Sequence, residues 1–157
     1  MKSSLEMTKE NLGKVSQEFW IYLAGMIDGD GSIMINTHKD HKAKRGYCWE
    51  INVKVSNTQK VFLEALKKTV GGSVSRCGPS QYGIRPVYQW KIGGNTARVT
   101  LDRIYPYLII KKKQCMWAMQ ALEITIGHRR KGYDQVKSDK CLNMLRLKVK
   151  TFNRKDL

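Results

Sequence analysis

No stretch of this sequence stays apolar for the roughly 20 residues that a helix needs to cross a bilayer. No basic, apolar and small-residue succession marks a cleavable secretion signal either. An intracellular, non-secreted protein without a membrane partner is therefore expected. Cysteine is scarce and scattered: Cys48, Cys77, Cys115 and Cys141 include no close pair. Neither a thiolate metal site nor a disulfide framework fits that spacing, so the thiols read as reduced. The histidines, His38, His41 and His128, also lack the spacing of zinc ligands. Acidic residues are the other shortage. Asp and Glu total 13 against 29 Lys and Arg, a formal net charge of +16 over 157 residues. Such an excess points to a polyanionic partner, nucleic acid ahead of an anionic membrane surface. The length suits one domain with a sizeable core.

What the chain does contain is the run Leu23-Ala24-Gly25-Met26-Ile27-Asp28-Gly29-Asp30-Gly31. Ser16 is the expected N-cap of a helix, and nearly every position from Phe19 to Ile27 is apolar. A helix apolar all round is buried on all sides, which so near a terminus calls for a second subunit to cover it. Ala24-Gly25 removes side-chain bulk midway and permits close approach of another backbone. The helix then ends in two carboxylates, Asp28 and Asp30. That placement opposes the partial negative charge of a helix C-terminus, so a positive partner is needed, and a divalent metal is a natural one. Asp28-Gly29-Asp30-Gly31-Ser32 also resembles the opening of an EF-hand loop. That loop needs Gly sixth and Glu twelfth, where this chain has Ile33 and Lys39. The EF-hand reading fails. Asp-Gly pairs also make simple turns, but a turn leaves the apolar helix unexplained.

Along the chain, residues 1–15 read as a flexible arm, 16–150 as a single domain and 151–157 as a disordered tail. Ser32 to Thr37 and Cys48 to Val55 alternate apolar and polar, the period of strands, and are separated by a basic loop. A helix over Gln59 to Thr69 follows, closed by Gly71-Gly72, then strands near Ser73 to Cys77 and Val87 to Ile92. Helices are expected over Asn95 to Ile104, Cys115 to Ile126 and Ser138 to Val149. The order gives an α+β fold, with one antiparallel sheet and helices on one face.

The run Leu23 to Gly31 resembles the signature of the LAGLIDADG homing endonucleases, differing from it at Met26 and Gly29. The likeness extends to Pro106-Tyr107-Leu108-Ile109-Ile110-Lys111-Lys112-Lys113-Gln114 and covers roughly Phe19 to Ile126. It implies an αββαββα fold with a saddle-shaped antiparallel sheet lying on double-stranded DNA. It implies site-specific hydrolysis of phosphodiester bonds at a long pseudo-palindromic target. A single signature implies a homodimer, with Tyr22, Gly25 and Met26 in the interface. Asp30 would bind catalytic Mg²⁺, with Mn²⁺ or Ca²⁺ as alternative occupants and the Gly29 backbone assisting. Asp28 would be structural. Lys111 would be the active-site cation, with Lys113 as the fallback and a DNA contact. Asn57 would orient the attacking water, with Gln59 as its alternative and a helix cap as its competing role.

By strand alternation, the side chains offered to DNA are Met34, Asn36 and His38, then Glu50, Asn52 and Lys54, then Ser75, Gln89 and Lys91. Arg76 and Arg85 are added to that set. A strand of about eight residues spans roughly 26 Å, enough to follow several base pairs of a major groove. The alternative on the same fold is an intron maturase, which takes intron RNA, or a DNA-binding regulator that does not cut. The resemblance places the protein in the cytoplasm or nucleoid of a prokaryote, or in an organelle.

Overall fold

The computed structural model describes residues 3–79, 85–127 and 134–155. The chain starts with α1, Ser4–Gly13, closed at its N-terminus by a reciprocal cap. The Ser3 hydroxyl accepts the Glu6 N–H at 3.3 Å, and the Glu6 carboxylate accepts the Ser3 N–H at 2.7 Å. Leu12 is buried and the helix lies on α4 (Gly94–Ile104). Within the arm expected over residues 1–15, residues 4–13 thus form a helix. Its sign was the Ser-x-x-Glu spacing at Ser3 and Glu6.

Ser16 caps α2, Gln17–Asp30, by accepting the Phe19 N–H. Two strands follow, β1 Gly31–Lys39 and β2 Tyr47–Asn57, then α3 Lys60–Val70, β3 Ser73–Pro79 and β4 Pro86–Gly93. Beyond α4 come a 3₁₀ turn, Tyr105–Tyr107, and two helices, α5 Lys112–Gly127 and α6 Gln135–Lys155. The helix α6 runs through residues 151–155, where a disordered tail was expected.

The sheet order is β1-β2-β4-β3, antiparallel at every pairing. Period-two alternation sends Ile33, Ile35, Ile51, Val53, Val55, Trp90 and Ile92 to the helix side, where all are buried. There they meet Leu23 and Ile27 of α2, Leu63 and Leu66 of α3, and Leu101 and Ile104 of α4, all within the same core. Each such side chain contributes about 1.5–3 kcal/mol when fully buried. Trp90 satisfies its polar atom by donating Nε1–H to the Gly71 carbonyl at 2.8 Å. The neighbouring Gly72 has φ +92, and a Cβ there would lie 2.4 Å from the Lys91 carbonyl oxygen. Only glycine turns the chain from α3 into β3 so tightly.

Two features of this layout set up the site. First, β4 pairs with β2 only over Asn52 to Asn57. The far ends of β1 and β2 therefore project beyond the sheet as a two-stranded ribbon. Second, α5 and α6 pack on each other and on β1, so the C-terminal helices underlie that ribbon.

Candidate active site and nucleic-acid face

The α2 helix stops and β1 starts within one residue, Gly31. A Cβ at Gly31 would lie 2.5 Å from Ile27 Cα and 2.9 Å from its carbonyl oxygen, so no larger residue fits the corner. This sharp exit leaves Asp28 and Asp30 on the last turn with different surroundings. The Asp28 carboxylate accepts three main-chain N–H groups: Ile109 at 2.7 Å, Ile110 at 3.2 Å and Lys111 at 2.9 Å. Lys111 returns across the same gap, its Nζ donating to the Asp28 carbonyl at 2.5 Å. Its own carbonyl accepts the Cys115 N–H at 2.9 Å and so opens α5. The electrostatic conflict of an acid at a helix C-terminus is therefore resolved for Asp28. A carboxylate meets the positive start of α5, and an ammonium meets the negative end of α2.

Asp30 has no such partner. It is exposed, and its carboxylate makes no hydrogen bond or ion pair among the described residues. Its neighbour Gly29 is exposed too, with open space where a Cβ would stand. Among the described residues no cluster of three His, Cys, Asp or Glu forms a ready-made metal cage. Asp30 lies two residues past the Asp28 carbonyl that Lys111 grips, and a single chain offers one such free carboxylate there.

The helix expected to be buried on all sides is buried on one. Trp20, Leu23, Ala24 and Ile27 face the core, whereas Ile21 and Tyr22 are 48% and 57% exposed. Gly25 is exposed, with nothing within 4 Å of its Cβ position. Tyr22 leans edge-on against Phe62 of α3. Met26 sits half-buried against the core, one turn after Tyr22 at the edge of the open face that Ile21, Tyr22, Gly25 and Gly29 form. Behind the site, Cys115 is buried, and its thiol is pushed up to about 12 by burial and then by the carboxylates of Asp102 and Asp28.

Asn57 closes β2, and its register partner is Tyr88. The Lys60 ammonium of α3 lies 5.5 Å above the Tyr88 ring, which puts this pair on the helix side. The Asn57 oxygen accepts the Gln59 N–H at 2.8 Å. Its expected solvent-ordering role is therefore limited, because the amide oxygen serves the start of α3. Lys113 is exposed, its ammonium 6.0 Å over the Phe152 ring of α6.

The sheet face away from the helices carries Met34, Asn36 and His38 of β1, Glu50 and Lys54 of β2, Ser75 of β3, and Gln89 and Lys91 of β4, as the register requires. Lys54 stands directly opposite Lys91, an arrangement that like charges disfavour. Glu50 offsets it, its carboxylate 2.5 Å from the Lys91 ammonium. Burial pushes the Glu50 carboxyl up, but that ammonium outweighs it and holds the group below its ordinary range. Gln89 donates to Ser56 at 3.2 Å.

Two expected contacts fall off this face. Asn52 has the right strand parity but is 1% exposed, packed beside Met34 and Gly93. Arg76 pairs with Tyr88 and so takes the helix-side parity. Arg85 is exposed just ahead of β4. The residues that the sequence left unnoticed are Asp139 of α6 with Arg45, Tyr47 and Trp49. Their only sequence sign is that Asp139 is the one acid in a strongly basic helix.

A sequence profile described as LAGLIDADG endonuclease matches residues 23–116, from the signature run through the start of α5. The chain belongs to that family. It is 29% identical over 119 residues to the DNA endonuclease I-CreI of Chlamydomonas reinhardtii, across 70% of this chain and 66% of that one. It is 28% identical over 107 residues to the DNA endonuclease I-CvuI of Chlorella vulgaris, across 65% of this chain and 62% of that one. The chain thus spans slightly under two thirds of the length of each. In the solved complex of I-CvuI with its target and calcium, the fold superposes with a TM-score of 0.72 at 21% identity, covering 87% of this chain and 82% of that one. The archaeal intron-encoded homing endonuclease I-Vdi141I, complexed with DNA, gives 0.69 at 16% identity, covering 87% and 86%. The LAGLIDADG fold is shared across all three. Helix α6, from Gln135 onward, lies beyond the profile's match.

Proposed function

We propose that the chain is one subunit of a homodimeric, Mg²⁺-dependent endonuclease that cuts double-stranded DNA at a specific site. The observation that carries this reading is the contrast on the last turn of α2. Asp28 is fully engaged with the Ile109 to Lys111 segment, whereas Asp30, two residues on, is exposed and unpaired among the described residues. Hard oxygen donors without a protein cage suit Mg²⁺, which is held through one or two carboxylates together with water and substrate phosphates. Asp30 and the Gly29 carbonyl would supply the protein's share. Bound there, the ion polarises a phosphoryl oxygen and acidifies a water for hydrolysis.

The chain's own groups do the rest. Lys111 would place positive charge where negative charge develops on the phosphate, and its tether to the Asp28 carbonyl holds it at the end of α2. Asn57, through its amide nitrogen, or Gln59 orders solvent without acting as a base. The open face of α2 takes a second copy related by a two-fold axis, so the two Asp30 carboxylates meet near that axis. Gly25 and Gly29 let the two backbones approach. The sheet face follows the major groove, and the Lys54 and Lys91 ammonium groups suit the acceptors of guanine.

The test is to incubate the protein with a randomised double-stranded DNA library and Mg²⁺, with a chelator control, and to sequence the cut ends. Metal-dependent, staggered cuts at one pseudo-palindromic site are the expected result. Enrichment of bound DNA without cutting would replace this reading with a non-cleaving regulator or an intron-RNA maturase.

A further inference from the structure

The β1–β2 ribbon is the part of the DNA-facing surface furthest from Asp30. It leaves the site at Gly31 and runs the length of β1, roughly 3.3 Å per residue. Its outward side chains, Asn36, His38 and Glu50, would therefore lie over the outer base pairs of each half-site. From Tyr47 to Ile51 the strand β2 has no β4 neighbour, and a two-stranded ribbon alone is marginally stable in water. Holding the outer residues on the groove requires a support from the other side.

Besides the packing of α5 and α6 on β1, that support includes one carboxylate at the tip. Asp139 of α6 accepts Arg45 Nη1 at 2.7 Å and Trp49 Nε1 at 2.8 Å on one oxygen, and the Tyr47 hydroxyl at 3.0 Å on the other. Arg45 also donates Nε–H to the Tyr47 carbonyl at 3.0 Å, and its guanidinium lies 5.2 Å from the Tyr47 ring centre. Tyr47 and Trp49 are in mutual edge-on contact. All three donors sit at or just before the start of β2, at the ribbon's tip. On the same tip, Asp40 closes the loop by accepting the Lys42 N–H at 2.9 Å and the Cys48 thiol at 3.1 Å. The tip is fixed to α6 by charge-assisted hydrogen bonds, which are stronger and more directional than neutral ones.

We propose that Asp139 is a positioning residue for DNA specificity: through Arg45, Tyr47 and Trp49 it holds the β1–β2 tip so that Asn36, His38 and Glu50 read the outer base pairs. The device does not touch the reacting phosphate. Losing it loosens the outer readout and leaves the inner one alone. The inference rests on the DNA-cleavage reading above and deepens it by placing a specificity element on α6.

The test runs the same library cleavage with the wild-type protein, Asp139→Asn, Asp139→Glu and Tyr47→Phe, each with Mg²⁺, and compares base preference position by position. In Asp139→Asn the preference at the outer positions of each half-site falls about tenfold, the equivalent of one charge-assisted hydrogen bond. Preference at the central positions stays as in the wild type. Asp139→Glu recovers part of the outer preference. Tyr47→Phe, which removes a single O–H donor and keeps the ring, loses outer preference by roughly two- to threefold. Should Asp139→Asn fail to fold, Tyr47→Phe carries the comparison by itself. An unchanged outer profile in these variants overturns the proposal, and so does an even loss at every position. A wild-type protein that selects no site strikes the endonuclease reading itself, an outcome separable from both.

Discussion

Asp28 and Asp139 each gather three donors on one carboxylate, but the donors differ in kind. Asp28 holds main-chain N–H groups of consecutive residues, Ile109 to Lys111. Asp139 holds the side chains of Arg45, Tyr47 and Trp49. The first arrangement fixes the backbone itself: it sets where α5 begins and where the Lys111 ammonium stands, whatever side chains Ile109 and Ile110 carry. The second depends on three particular side chains more than ninety positions away or nearly so. The first lies inside the segment matched to the family, whereas Asp139 lies beyond it. A main-chain cradle serves chemistry that must stay the same, while a side-chain clamp can be rebuilt to suit a different target.

Breaking that comparison starts at the residue the cradle leaves free. Asp30→Asn keeps the fold, because its carboxylate supports nothing in the chain, and lowers cleavage by roughly a thousandfold or more, the scale of losing a principal charge-stabilising group. Binding to the selected DNA changes by only a few fold. Single-turnover cleavage beside a filter-binding titration reads both, and retained cutting would remove Asp30 from the site. Asp28→Ala acts through stability instead. It strands three main-chain N–H groups on a half-buried surface and is expected to lower the urea-unfolding free energy by about 2–4 kcal/mol. A smaller change than Asp28→Asn produces would contradict the cradle.

The open face of α2 gives a sharper contrast. Gly25→Ala meets no atom within 4 Å in the single chain, so the subunit should gain up to about 1 kcal/mol from helix propensity. The dimer should nevertheless weaken, by about tenfold if the backbones touch there, which sedimentation over a dilution series measures. Gly31→Ala has no room for its Cβ and should destabilise the subunit itself by about 1–3 kcal/mol.

At Asp139, burial pushes the carboxyl up, but hydrogen bonds from Trp49 and Tyr47 and the charge of Arg45 outweigh it, so its pKa is lowered. A carboxyl with a depressed folded-state value adds stability above its unfolded value of about 3.9 and loses it as pH falls through the folded value. The stability gap between wild type and Asp139→Asn should thus stay constant from about pH 5 to 7 and close below about pH 4. The smallest effect is chemical. Cys77 is exposed and should react with a thiol reagent in the native state, whereas buried Cys115, pushed up to about 12, should react only on unfolding.

Much of this molecule follows from sequence alone. Strand alternation and the apolar signature run are local, so the order of helices and strands, the helix cap at Ser16 and the pairing of Asp28 with a structural task were legible. The positions that misled were those whose neighbours come from elsewhere in the chain. Asn52 has the parity of a base reader, yet the end of β4 at Gly93 closes over it. Asn57 read as either a solvent-ordering amide or a cap, and the structure shows its oxygen accepting the Gln59 N–H in a turn just ahead of α3, which has no side-chain cap. Which side of α2 stays open, with Ile21 and Tyr22 exposed and Met26 half-buried, is set by what packs beneath the helix. The sequence by itself determined the signature helix, the two carboxylates at its end and the excess of positive charge. Tertiary structure alone decided which carboxylate is consumed and which is left free, and it alone brought Asp139 under the ribbon. A hydrogen bond across such a distance along the chain leaves no periodic trace in the residues that make it.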